Sequence, residues 1–352
     1  MNFIHIADVH FDASFSNLDK KENGKIKRKL EQRNYFKKMI QYIKENKVEY
    51  LLIAGDLYEN ESVTEATIQY INQLFTSIPE TKILIAPGNH DPYLKNSFYA
   101  NYKWSNNVYI FHENAILYSF PDADFYGFGF QDFYHEGMDW NAYQIKNPNK
   151  TNILIMHGDL NAILKKEKNY NPISENQIKK LGFDYVALGH IHMTNYKEDS
   201  SINYPGSFIM LGLDETGKHG MIYGEIKNHQ LKTQYIELEK NKIENIKLDI
   251  SDCLDLEMCI EKIKELKLEN QSYQIILCGK RKFDINTTKI KEILSDQNIV
   301  KIRDETTTAY DIEKIKKENS LRGYFVQEIL KHQEEYTIEE IQKAIDIGLE
   351  NL

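Results

Sequence analysis

Cysteine is nearly absent from this chain: three residues, Cys253, Cys259 and Cys278, in 352. Three irregularly spaced thiols make neither a disulfide framework nor a thiolate metal site. Cys278, inside an apolar run, reads as a small buried hydrophobe. This usage fits a reducing cytoplasm. Long apolar runs are also missing, and none approaches the roughly 18 residues that a membrane span requires. The opening MNFIHIADVH has no basic segment ahead of an apolar core, so it reads as a β-strand rather than an export signal. Excess basic charge is lacking as well. The net charge is −9, from 44 Lys and Arg against 53 Asp and Glu. General nucleic-acid binders instead gather Lys and Arg to release counterions. That count omits the local positive charge of any bound divalent cation. No internal repeat or low-complexity tract is present.

What is there is an ordinary globular composition, 41% hydrophobic and 28% charged. The length predicts two domains, or one large domain with an appendage. Apolar β-type runs recur, each closing on a polar cluster. Phe3 to Ala7 ends at Asp8-Val9-His10, and Tyr50 to Ala54 ends at Gly55-Asp56. Ile83 to Ala86 runs into Pro87-Gly88-Asn89-His90-Asp91. Ile153 to Met156 ends at His157-Gly158, and Tyr185 to Leu188 at Gly189-His190-Ile191-His192. Helical periodicity fills the gaps, first through Ile26, Leu30, Phe36, Met39, Ile40 and Ile43. Ser62 with Glu65 reads as a capping box for a helix through Ile71 and Leu74, and another helix covers Ile178. The order of strand and helix predicts layered α/β packing.

From about residue 200 the pattern predicts strands of a second sheet at 202–204, 221–226 and 232–238. The polar stretch 239–247 marks a boundary. A small α/β unit follows, with strands near 246–250, 274–278 and 299–302 and helices near 256–266 and 288–294. The expected division is therefore 1–240, 241–305 and 306–352, the last segment helical. Its capping box is Thr337 with Glu340, ahead of the amphipathic stripe Ile338, Ile341, Ile345 and Leu349.

Five strand ends in sequence order, each presenting Asp, Asn or His, are hard to assign to chance, although any one of them alone would prove little. Ligands of open α/β folds bind outside the carboxyl ends of strands. Asp8 and His10 lie two apart, as do His190 and His192, so an extended backbone would send each pair out on one side. Asp56 offers two oxygens to bridge a pair of cations, Asn89 an amide oxygen, and His157 an imidazole. Mixed nitrogen and oxygen donors suit Mn, Fe or Zn better than Mg or Ca. Gly55, Gly88, Gly158 and Gly189 relieve crowding there. Two cations roughly 3.5–4 Å apart would neutralise a phosphodiester and activate water for in-line attack. His90, beside Asn89, is expected to contact phosphate and donate a proton to the leaving group, with Asp91 orienting its ring.

Taken together, Asp8-Val9-His10, Gly55-Asp56, Gly88-Asn89-His90-Asp91, His157-Gly158 and Gly189-His190-Ile191-His192 resemble the calcineurin-like metallophosphoesterases. The segments Phe3 to His10, Leu52 to Tyr58 and Tyr204-Pro205-Gly206-Ser207 are similar to the SbcD-type DNA repair exonuclease family, including its YhaO-like branch. The likeness covers about residues 1–238, and Phe11-Asp12-Ala13 departs from the Leu-Gly common after the first motif. The resemblance implies a four-layer αββα sandwich, a small α/β capping domain and C-terminal helices. It further implies two divalent metal ions, commonly Mn2+. Asp8, His10, Asp56 and His192 would hold one, and Asp56, Asn89, His157 and His190 the other, with His90 as a catalytic residue outside the metal shell. DNA as substrate, a homodimer, and an SbcC-like coiled-coil ATPase docked by the C-terminal segment are implied as partners, with no membrane.

Competing readings are blander at several positions. His5, inside the first strand, is expected to be a hydrogen-bonded structural residue. His112, His135, His219, His229 and His332 read as surface or packing residues. The basic stretch Lys20 to Lys29, with Arg33, and the run Lys280-Arg281-Lys282 could touch DNA or be solvated. Tyr99, Tyr102 and Trp104 could stack on bases or pack in the interior. A cyclic-nucleotide or other small-substrate phosphodiesterase is the rival enzyme, and a mainly structural, nuclease-like protein is a third reading. A serine/threonine protein phosphatase fits less well, since Leu57-Tyr58-Glu59-Asn60 lacks the arginine expected after the second motif.

Overall fold

All five apolar runs form strands, and shorter strands that the sequence reading did not single out lie among them. In the first half of the chain they are β1 Asn2–Ile6, β2 Tyr50–Ile53, β3 Lys82–Ile85, β4 Val108–Ile110, β5 Leu117–Ser119, β6 Ala123–Phe128 and β7 Thr151–His157. The short β8 Asp159–Leu160 and β9 Pro172–Ile173 follow, then β10 Tyr185–Gly189, β11 Ile202–Asn203, β12 Gly220–Lys227 and β13 Gln230–Glu237. Helices α1 Glu22–Glu45, α2 Glu65–Thr76, α3 Phe98–Asn101 and α4 Glu175–Leu181 lie between them. The computed structural model describes residues 1–15, 22–114, 116–137, 139–160, 170–213, 215, 217–239, 243–266, 268, 272–295 and 297–352. Lys20 and Lys21 fall outside these.

Two sheets form the first unit, Met1–Lys242. One has the order β13-β12-β1-β2-β3-β4 and the other β11-β10-β7-β6-β5. Period-two alternation decides how they stack. Phe3, Tyr50, Leu52, Leu84, Phe125, Ile153, Ile155 and Tyr185 point into one shared buried cluster, the seam between the sheets. Their neighbours Ile4, Ile6, Leu51, Ile53, Ile83 and Ile85 face outward onto Phe36, Met39, Ile40 and Ile43 of α1 and Ile68, Ile71 and Phe75 of α2. On the other side Leu154, Met156, Val186 and Leu188 face Ile178 of α4. The result is the αββα sandwich. Strands buried on both faces explain why their sequences are continuous apolar runs.

Two expectations need correction. The strands after residue 200 do not build a separate sheet. The β12–β13 hairpin extends the first sheet, β12 running antiparallel to β1 with Phe3 opposite Gly224, while β11 joins β10 in the second. An apolar alternation shows that a strand has a buried face, not which neighbour it takes. The α2 cap also sits two residues later than expected: Thr64 accepts from the Thr67 backbone N–H.

The second unit, Ile243–Leu352, is built on three parallel strands, β14 Ile243–Asp249, β15 Ser272–Cys278 and β17 Ile299–Asp304, in the order β14-β15-β17. Between β15 and β17 lies β16 Lys280–Arg281, which pairs with β18 Thr307–Thr308. Helices α5 Leu256–Lys264 and α6 Thr287–Ile293 pack on the three-strand sheet through Ile260, Ile263 and Ile290. Helices α7 Ile312–Ile315, α8 Leu321–Lys331 and α9 Ile338–Asn351 close the chain. The capping box of Thr337 and Glu340 is present. Ile345 and Leu349 pack with Val326, whereas Ile338 is 89% exposed.

Candidate metal centre

The five polar clusters converge at the carboxyl ends of the central strands, but not through extended backbone. β1 stops at Ile6, and both Asp8 and His10 have left-handed φ, 50° and 51°. Asp56 at 54° and His190 at 103° share the feature. The expectation of two-residue extended spacing is therefore wrong in its reason: the chain curls, and the curl makes the side chains converge. Positive φ at non-glycine residues costs on the order of 1–3 kcal/mol each and persists only where surrounding bonds fix it. Here the first two loops are laced together. Asp8 N–H donates to Gly55 O at 3.1 Å and His10 N–H to Asp56 O at 2.9 Å, while the Gln32 amide donates to the carbonyls of Val9 and His10. Close approach explains two glycines. A Cβ on Gly55, itself at φ +89°, would lie 2.2 Å from His157 Nδ1, and one on Gly88 would lie 2.2 Å from Asp56 Oδ1.

Asp56 sits at the middle. Its Oδ2 is 3.2 Å from His157 Nε2 and 3.5 Å from His10 Nε2, and its Oδ1 accepts the His90 backbone N–H at 2.8 Å. Asp8 Oδ1 lies 3.8 Å from His192 Nε2 and 4.0 Å from His10 Nε2. Both oxygens of Asp8 also accept the His190 N–H at 3.1 Å. Asn89 Oδ1 is 3.1 Å from His157 Nε2, and the rings of His157 and His190 are 5.1 Å apart. Asp8–His10–His192, Asp8–Asp56–His157 and His10–Glu59–His90 each place their donor atoms within 4.8 Å of one another. The structure thus gathers Asp8, His10, Asp56, Asn89, His157, His190 and His192, with His90 alongside, its ring 4.8 Å from that of His10.

Asp91 does something other than orient His90. It is fully buried. Its Oδ1 accepts the backbone N–H groups of Asp56 at 3.0 Å and Gly88 at 2.6 Å, and its Oδ2 accepts that of Leu57 at 2.7 Å and the Tyr99 hydroxyl at 2.6 Å. Three of the four bonds are spent on the loops that carry Asp56 and Asn89 and the fourth on Tyr99 of α3, so none remains for the imidazole. The partner of His90 is Glu59, whose Oε2 lies 2.9 Å from His90 Nδ1 and whose Oε1 lies 2.6 Å from His10 Nδ1. Glu215 plays the matching part for His192, 2.6 Å from its Nδ1, while also accepting from Ser207 Oγ and Leu211 N–H. Neither glutamate stands out in the sequence. Glu59 lies three residues past Asp56 in a loop that forms no helix, so the spacing by itself gives no signal.

Electrostatics follow this arrangement. Hydrogen bonding to Glu59 raises His90 to about 9 against its partial burial. Burial opposes protonation of His157 and His192, but Asp56 and Glu215 respectively hold each up at about 9. Burial and the neighbouring His157 push His190 down to about 3. Asp56 stays ionised despite burial because His157, His10 and His90 surround it. Glu59 is likewise held down at about 2, burial being outweighed by its two histidines. Without a cation, the carboxylates are thus balanced by protons parked on imidazoles.

The donor set fits divalent cations. His10 Nε2 is buried without a hydrogen-bond partner while it faces the carboxylates of Asp8 and Asp56, an arrangement that an ion between them would complete. With Nδ1 engaged by Glu59, His10 has Nε2 as its coordinating nitrogen. A cavity of about 500 Å³ opens over His10, Glu59, His90, His192 and Glu215.

Several of the remaining sequence candidates are engaged within the chain. His5 is buried, its Nδ1 3.0 Å from the Tyr185 hydroxyl. His219 is buried against Ser207 and the Glu215 carbonyl. Tyr99 is interior and the Trp104 indole donates to Phe98 O. Of the basic stretch, Arg28 is buried in a bidentate pair with Glu239 and also donates to Met210 O. Lys280 pairs with Asp346, and Arg281 lies beside Asp284 and Asp304.

No helix among the described residues is long and apolar enough to cross a membrane. Among curated proteins, the chain is 23% identical over 278 residues to the "Uncharacterized metallophosphoesterase YhaO" of Bacillus subtilis, covering 75% of this chain and 67% of that one. It is 25% identical over 311 residues to the SbcD component of the SbcCD nuclease from Staphylococcus saprophyticus, covering 78% of this chain and 79% of that one. The corresponding SbcD protein from Staphylococcus epidermidis is 24% identical over 367 residues, covering 92% of each chain. These identities make the relationship to SbcD-type nucleases a distant one. The profile described as Calcineurin-like phosphoesterase matches residues 1–194. That match spans the five loops that build the centre, and the chain belongs to the calcineurin-like phosphoesterase family.

Proposed function

We propose that this chain is a nuclease that hydrolyses DNA phosphodiesters with two divalent cations, Mn2+ foremost. The observation that carries the reading is the place of Asp56, one carboxylate shared between the His10 side and the His157 side of the centre. Asp8, His10, Asp56 and His192 would hold one cation, and Asp56, Asn89, His157 and His190 the other. Such a pair supplies neutralisation of the phosphate and a water of lowered pKa. The chain supplies the rest. Glu59 grips His90 through Nδ1, leaving Nε2 to meet the leaving oxygen and pass it a proton. Glu215 and Glu59 fix the rings of His192 and His10, and Asp91 fixes the loops beneath. The two staphylococcal relatives are named as parts of an SbcCD nuclease, which supports the nuclease reading. With it go DNA as substrate, a coiled-coil ATPase of the SbcC type as partner, and work in DNA repair. We propose further that the protein acts as a homodimer in the cytoplasm.

The test compares linear duplex DNA, single-stranded DNA and cyclic nucleotides with Mn2+ supplied, with His90→Ala as control. DNA cleavage that falls at least about 100-fold in His90→Ala, with both cations retained, is expected. Asp56→Ala should lose cations and activity together. Turnover of cyclic nucleotides without DNA cleavage would replace the nuclease reading with a small-substrate phosphodiesterase.

A further inference from the structure

Arg28, on α1, and Glu239, just past β13, are charged yet buried, 8% and 1% exposed. Arg28 Nη1 and Nη2 donate to the two Glu239 oxygens at 2.5 and 2.8 Å. Both residues also hold the backbone of Met210. Its N–H donates to Glu239 Oε2 at 2.8 Å, and its carbonyl accepts from Arg28 Nη2 at 2.7 Å and Nε at 3.2 Å. The carbonyl of Met210 and the N–H of Leu211 belong to one planar peptide unit. That Leu211 N–H donates to Glu215 Oε2 at 2.8 Å, and Glu215 Oε1 lies 2.6 Å from His192 Nδ1. The other ring nitrogen of His192, Nε2, faces Asp8 at 3.8 Å. A series of polar contacts therefore runs from Glu239 through Arg28, one peptide and Glu215 to the His192 side of the centre.

A pair that only fastened α1 to this loop would gain little from its charges, because apolar residues of similar volume often serve an interior as well or better. What a guanidinium adds is orientation, with two N–H groups in a rigid fork aimed at one oxygen. We infer that Arg28 is a positioning residue for the metal centre. By fixing the Met210–Leu211 peptide it holds Glu215, and through it His192, in the orientation that binds the cation on the Asp8 side. Bonds to the carbonyl also polarise the peptide and make Leu211 N–H a stronger donor to Glu215. Ser207 Oγ is a second anchor on Glu215 Oε2, at 2.8 Å, so release of the peptide weakens that cation without abolishing its site. The inference rests on the two-cation part of the proposed reading and is indifferent to the substrate.

The test variant is Arg28→Met with Glu239→Gln in the full chain. It removes both buried charges, keeps an oxygen for Met210 N–H, and takes away the grip on Met210 O. Mn2+ titration followed by electron paramagnetic resonance should show two cations in wild type and variant. One of them should bind about 10-fold more weakly in the variant and the other should be unchanged. In the cation-free proteins, nitrogen NMR of the histidine rings should show the His192 Nδ1 signal shifted in the variant, with that of His10, tied to Glu59, unmoved. Ile40→Ala opens a cavity in the buried cluster under the same helix and should lower stability with neither change. Glu239→Gln alone, which retains Arg28, should bind both cations as wild type does. If the double variant does not fold, Arg28→Lys, which keeps the charge and loses the fork, carries the test with the same two changes in smaller measure. Unchanged affinity for both cations, an unmoved His192 signal, or equal weakening by Ile40→Ala overturns the positioning role and leaves the two-cation reading standing. Wild-type protein that takes up fewer than two cations sinks the two-cation reading instead, and the His192 signal, read without metal, then decides the role of Arg28.

Discussion

Asp91→Asn removes one of two oxygens that together accept four hydrogen bonds. If the amide NH2 takes the Oδ1 position, it opposes the N–H groups of both Asp56 and Gly88. If it takes the Oδ2 position, it opposes Leu57 N–H, while the Tyr99 hydroxyl can rotate and accept from it. The second arrangement is cheaper and strands one buried donor. That alone costs about 1–3 kcal/mol, and the opposed N–H groups strain the loop further, so a loss of about 2–4 kcal/mol is expected. In a unit as large as Met1–Lys242 this lowers Tm by roughly 4–15 °C. The assay is a thermal melt followed by circular dichroism in EDTA, so that lost cations do not contribute. Burial and the nearby Asp56 push the Asp91 carboxyl up to about 7, whereas three backbone donors and a hydroxyl favour the ionised form. Asparagine would copy a protonated carboxyl at little cost. A variant melting within about 1 °C of wild type at pH 8 would refute the four-way carboxylate.

Glu59→Gln should lower the His90 pKa from about 9 towards its ordinary value, as read by NMR titration of the cation-free protein. The contribution of that pair to stability is fully present below about 6.5 and fades as pH rises through about 9. In the variant this fade should vanish. Because His157 and His192 carry protons up to about 9 and ligands must shed them, Mn2+ added at pH 7.5 should release about one to two protons. An indicator dye in weak buffer follows this, and the release should die away as pH passes 9; a cation taken up with no acidification would contradict the proton-filled centre. Gly88→Ala drives a methyl to 2.2 Å from Asp56 Oδ1, and bound cation measured by mass spectrometry should fall while the fold persists. Ile155→Ala, in the seam between the sheets, should cost about 2–5 kcal/mol in urea unfolding.

The sandwich was legible in the sequence because its strands are buried on both faces. Runs such as Leu51-Leu52-Ile53 and Ile153 to Met156 cannot lie at a surface, and each ends where a loop must carry polar atoms. The residues gathered at the centre were legible for the same reason. What escaped the sequence depends on contacts between distant segments. The partnership of β12 with β1 leaves no mark in either strand. Glu59 and Glu215 look like any surface glutamate until a histidine from another loop reaches them. Asp91 stands next to His90, and adjacency invited a role that its burial under Tyr99 rules out. Arg28, read as a candidate for DNA contact, is committed to Glu239, 211 residues away.

Three carboxylates behind the centre divide the labour. Asp91 secures backbone, Glu215 secures a ring that faces Asp8, and of the three Glu59 couples the rings of His10 and His90. Under the proposed mechanism a substitution at Glu59 reaches metal affinity and protonation of the leaving group together, whereas one at Glu215 reaches affinity alone.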